Sequence, residues 1–147
     1  MNPMTMDKNA EAKADPVTAA EAKTLKEEWE TGKLQALSGY LIDFVDRHRE
    51  DILKLAPDSR SSGELVEATR KFVRHRGYIH LPLDMADQIH EINNEIWYHG
   101  QQGDFNRQKI KENWTVEHAS NWRRWRVKQI LHIIDRRSAD VAAALLR

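Results

Sequence analysis

Residues 34–55 read LQALSGYLIDFVDRHREDILKL. Wound at 100° per residue, Leu34, Leu37, Leu41, Phe44, Val45, His48, Ile52 and Leu55 fall within one arc of roughly 100°. The stretch predicts an amphipathic helix with one face on a core. Pro57 should stop it, because the residue before a proline is pushed out of helical geometry. Nothing in the chain offers a convincing strand, so this segment sets the expectation for the whole: all-α, a single bundle of five or six helices with a disordered N-terminal arm.

Upstream, Thr31-Gly32 interrupts the pattern, and an earlier helix is expected to run from Asp15-Pro16, a capping Asp followed by a proline in the first turn, to about Glu30. Residues 1–14 are small, charged and aperiodic, which predicts the disordered arm and leaves 15–147 as the helical domain. Downstream, Ser61 to Glu64 has capping-box spacing. The helix it opens should bury Leu65, Thr69, Phe72 and Val73 and end at Gly77. A further helix is expected from about Leu83 to His99, with Met85, Ile89, Ile92 and Ile96 on its apolar line and Asn93 buried among them. Gly100 suits the left-handed position beyond it, and Gly103 lets the turn continue. Asp104 is placed to cap a short helix to about Asn113. Thr115 is placed to cap the last, from Val116 past Arg137 and as far as Leu146.

The chain has 147 residues, 40% apolar and 31% charged, an ordinary globular balance. It has no cysteine, so disulfides, thiolate metal sites and thiol nucleophiles are excluded. No apolar run approaches the ~20 residues that span a bilayer, and the start lacks the apolar stretch of a secretory signal. A cytoplasmic location is the expectation. The net charge is zero but unevenly placed: residues 1–68 hold 9 Lys/Arg against 14 Asp/Glu, and the remainder the reverse. A basic binding half would give that split; so would two helical layers whose charges answer each other.

The last long helix contains NWRRWRVKQILHII, residues 121–134. With Val127 at zero, Ile134, Leu131 and Ile130 lie within about 60° of it, while Trp122 and Trp125 lie about 140–160° away, on the opposite side. A DNA-recognition helix points a coherent basic side at the groove opposite its aliphatics; here that side is aromatic. Either neighbours cover both faces, or Trp122 and Trp125, with Arg126 and Gln129 at the rim, meet a partner. Trp and Arg are the residues most enriched at interface hot spots.

The other cations form a second candidate surface. Arg70, Lys71, Arg74 and Arg76 close one helix, where cations also complement the helix dipole. With Lys109, Lys111, Arg123, Arg124 and Lys128 they would make nucleic-acid contacts if the segments converge. On the 84–99 helix, Asp84, Asp87, Glu91 and Glu95 make an acidic face that either meets solvent or docks against basic neighbours. Asp87 with His90 and Glu95 with His99 have spacings that suit a pair of metal ligands. However, the chain has no Glu-x-x-His, and His90 and His99 lie half a turn apart, so the metal candidacy is weak. His48 inside an apolar arc predicts a hydrogen-bonded core polar group or a titrating one.

No phosphate loop, dinucleotide fingerprint, nucleophile elbow or zincin motif occurs, and no cofactor is implied. The expectation leans away from catalysis, towards a protein–protein interaction or assembly module, self-association through the Trp/Arg-rich helix included. A nucleic-acid-binding accessory protein is the first alternative and a bundle metal or acid–base site on the 84–99 helix the second.

Overall fold

A computed structural model describes residues 16–56, 58 and 61–147. The expected arm over 1–14, the cap at Asp15 and the stop at Pro57 lie outside the described residues. Among the described residues eight helical segments follow one another: α1 Ala19–Glu30, α2 Gln35–Gly39, α3 Leu41–Arg47, α4 Arg49–Lys54, α5 Ser62–Arg76, α6 Leu81–Gln101, α7 Arg107–Arg136 and α8 Ser138–Leu146. Among the described residues there is no strand.

The count exceeds five or six because the deciding stretch is a kinked path rather than one rod. It bends at Tyr40 and His48, yet the Phe44 N–H still reaches the Tyr40 carbonyl at 3.1 Å and the Ile52 N–H the His48 carbonyl at 2.9 Å. Gly39 sits at the first bend, where a glycine is about 1 kcal/mol less favourable in a helix than alanine. The apolar face survives the bends: Leu34, Leu37, Leu41, Phe44, Val45 and Ile52 are all buried, while Leu55, at the end, is exposed. His48 is half-buried, with its ring against Phe44 at 4.7 Å and Phe72 at 5.3 Å.

Several boundaries differ from expectation. α1 starts not at Pro16 but behind Thr18, which forms a reciprocal capping box with Glu21 at 3.0 and 2.9 Å. Neither Asp104 nor Thr115 starts a helix. Asn106 caps α7 by accepting the Lys109 N–H at 3.2 Å, and Thr115 lies inside it, its hydroxyl donating to the Lys111 carbonyl at 2.9 Å. A threonine that satisfies itself on the preceding turn need not end a helix. Gly100 stays helical and Gly103 takes the left-handed position, φ 86°. Ser61 does cap α5, and Gly77 ends it at φ 84°.

The core forms around the C-terminal half of α7. Val127, Ile130, Leu131, Ile133 and Ile134 share one cluster with the 34–52 face, with Leu65, Ala68 and Val73 of α5, and with Val141, Ala144 and Leu145 of α8. Each such side chain contributes about 1.5–3 kcal/mol on burial. Long polar side chains tie the ends: Arg137 donates to the Ser38 carbonyl at 2.7 Å, and Arg49 to those of Leu145 and Arg147 at 3.0 and 2.6 Å. α1 docks on α7 through Lys128 to Glu21 at 2.8 Å and Gln129 to Glu28 at 3.1 Å. No helix among the described residues is long and apolar enough to cross a membrane.

Past Leu83, which packs against this core, α6 leaves it together with the first half of α7. They run antiparallel as a two-helix arm, and α7 is the main neighbour of α6. At 1.5 Å per residue the 21 residues of α6 extend about 31 Å.

Candidate interaction site on the arm

α6 enters its first turn behind His80, whose Nδ1 accepts the Leu83 N–H at 3.1 Å. Asp84 follows one residue later and is the only buried residue of α6, with no exposed surface. It faces the arginines of the WRRWR run. Arg123 donates to Asp84 and, at 3.1 Å, to the Gly77 carbonyl. Arg126 lies 3.1 Å from the other Asp84 oxygen, donates to Asp87 and reaches Gln129 Oε1 at 3.3 Å. Two carboxylates and two guanidiniums thus fasten α6 to α7 at the base of the arm. In a low-dielectric setting such a network holds only if each charge has a partner.

The tryptophans lie beside this network. Both are half-covered, and the Trp122 ring carries the Arg123 guanidinium at 5.1 Å and that of Arg126 at 4.7 Å. Trp122, Trp125, Arg126 and Gln129 line one cleft of about 280 Å³, closed by Lys33 and Leu34 on one side and Asp87, His90 and Glu91 of α6 on the other. The fold therefore brings the four expected partner-binding residues together. Arg126 and Gln129 form its floor rather than its rim, since both are buried.

The apolar line of α6 is on the outside. Met85 is 62% exposed and Ile89 54%, Leu81 is largely open, and Ile92 and Ile96 are half-covered. Asn93, expected inside that arc, is exposed too. Beyond the line, Trp97 is 67% exposed; Phe105, 78% exposed, lies near Gly100, where a Cβ would stand 3.7 Å from its ring. The inversion has a plain cause. The acidic side of α6 had fixed cations to meet on α7, so the helix turned that side inward and left its hydrophobic side outward.

The remaining expected sites separate. Asp87 is held by Arg126, whereas Glu95 and His99 meet at 3.5 Å two turns further along, near Asp104, which is also 3.5 Å from His99. His90 is exposed at the cleft, so the four weak metal candidates do not converge, and no three His, Asp or Glu side chains among the described residues are grouped for a metal ion. Of the candidate nucleic-acid contacts, Arg70 pairs with Asp135 and Glu67, Arg74 with Glu67, Arg123 with Asp84, and Lys128 with Glu21. Lys71, Arg76, Lys109, Lys111 and Arg124 are exposed. Along α7, Lys109 stands about 22 Å from Arg124, and Lys109 and Lys111 project about 160° apart.

What the sequence did not signal was the burial of Asp84: an Asp on the polar side of a helix looks the same whether it meets solvent or a buried cation. Comparison with protein-family models, with curated proteins and with solved structures finds no match for the chain.

Proposed function

We propose that this protein is a non-enzymatic interaction or assembly module, with the α6 side of the arm and the adjoining Trp122/Trp125 cleft as its contact surface. One observation carries this. A 21-residue helix buries a single residue, an aspartate, and leaves Leu81, Met85 and Ile89 of its aliphatic line exposed. An isolated helix gains most of its stability in proteins from covering such a face, and contiguous exposed apolar surface marks binding sites. The tryptophans beside it, flanked by Arg126, supply the anchor type found at interface centres. The basic surface supports the nucleic-acid alternative less well, because four of its nine cations are engaged inside the chain and the exposed ones at the arm tip diverge.

The test is a photo-crosslinking residue at Ile89, compared with the same residue at exposed Lys23 of α1, irradiated in an extract of the cells that make the protein. A protein adduct specific to position 89, whether to this chain or to another, is expected. Equal or absent labelling at the two positions would overturn the role.

A further inference from the structure

We infer that the α6 surface is covered by a second copy of this chain, packed antiparallel about a two-fold axis near Ile89 so that the two arms form a four-helix bundle. The inference rests on the interaction role proposed above and names its partner.

Two observations single out a second copy. The first is the spacing of the stripe. Leu81, Met85, Ile89, Ile92 and Ile96 are separated by four, four, three and four residues, a pattern that is nearly unchanged when reversed. Laid antiparallel, Leu81 meets Ile96 of the other copy, Met85 meets Ile92 and Ile89 meets Ile89, all in register within one residue. A two-fold interface requires this self-matching, since each residue must meet its counterpart's counterpart.

The second is area. Phe105, which lies over Gly100 at the end of the stripe, exposes roughly 150 Å². Leu81, Met85 and Ile89, which are 44%, 62% and 54% exposed, add about 300 Å², with further area from the partly covered Ile92 and Ile96. The patch thus approaches 500 Å² per copy. A stable homodimer buries about 800 Å² per side, of which about 65% is apolar, so the stripe and its aromatic end supply the amount required. Electrostatics do not oppose it. Asp84 and Asp87 are neutralised by Arg123 and Arg126, Glu95 lies against His99, no charged residue falls within the stripe, and the chain's net charge is zero.

The absence of cysteine makes the test clean. Light scattering on the full chain at micromolar concentration should give a mass twice the 17.2 kDa of one chain. Ile89→Glu, which sets two carboxylates face to face on the axis, should return it to one chain with its helical circular dichroism unchanged. With a short bis-maleimide, Ile89→Cys should link to itself, and Met85→Cys should link to Ile92→Cys in a mixture of the two, while Lys23→Cys should not link. A wild-type monomer overturns the inference; if position 89 nevertheless labels another protein in the extract, the interaction role stands and only the partner is wrong. A dimer that survives Ile89→Glu and gives no link at position 89 also overturns it, placing the contact elsewhere. Monomer and unlabelled together remove both.

Discussion

Asp84 shows how one side chain can orient a helix. A carboxylate with no exposed surface is tolerable because two guanidiniums and the geometry of α7 meet it. Replacing it by Asn keeps the shape but leaves Arg126, itself buried, with Asp87 as its remaining acid. Removing one member of a buried ion pair typically costs about 3–5 kcal/mol. Asp84→Asn should lower stability in urea by about 3 kcal/mol; a change below about 1 kcal/mol would mean that water already reaches the network. Gly77 is a second decisive residue: its φ of 84° is left-handed, a conformation that costs an L side chain about 1–2 kcal/mol. Gly77→Ala is expected to lower the thermal midpoint by that amount of stability, since the space beside it is open, with Arg123 Cδ no nearer than 4.0 Å.

At the level of elements, the arm and the core are held by different forces. α5, α8 and the C-terminal half of α7 exclude water from a continuous aliphatic cluster, whereas α6 meets α7 through ion pairs at its base and, further along, beside only two buried apolar side chains, Ile110 and Trp114. Opening free energies follow buried apolar contact. Backbone amides of residues 89–101 should therefore exchange with solvent far faster than those of residues 127–134 in a dilute sample. Because association would cover the stripe, their protection should rise with protein concentration while that of the core stays constant. Uniform protection along α6 and the core at every dilution would show that the arm does not open separately. Helix existence was legible here from periodicity, and the cap at Ser61 and the stop at Gly77 from local chemistry. Thr115 and Asp104 were misleading because a capping residue type is also tolerated inside a helix or in the turn before one.

Across the whole molecule the uneven charge is partly answered within one chain: Lys128 of the basic half meets Glu21 of the acidic half, and Arg147 lies 3.8 Å from Asp46. Titration then follows from the shifted groups. Burial first, and Arg76 second, holds His48 below its ordinary 6.5; burial and Arg136 do the same for His132. Both are more easily protonated in the unfolded chain, so stability is full above about pH 6.5 and declines as the pH falls below it. The Lys128 hydrogen bond, then the Thr18 backbone, holds Glu21 below its ordinary 4.5, so the docking of α1 weakens in turn as the pH drops below that value. A pH series of urea denaturations should show the first decline flatten in a His48→Leu, His132→Leu double variant while the acid limb remains. If the slope between pH 5 and 6.5 is unchanged, these two histidines do not carry it.

By itself the amino-acid sequence determined that the chain is helical and which residues of 34–52, α5 and the end of α7 lie inside, because a 3.6-residue period and strong apolar arcs leave a core-forming helix one energetically acceptable orientation. Only the tertiary structure decided how α6 is turned. Both of its sides had something to gain, one from burying aliphatics and the other from meeting the Arg123 and Arg126 cations. A hydrophobic pattern states that a side wants cover without stating whether the cover comes from the same molecule. The fixed arginines of α7 took the acidic side, and the apolar side was left facing outward.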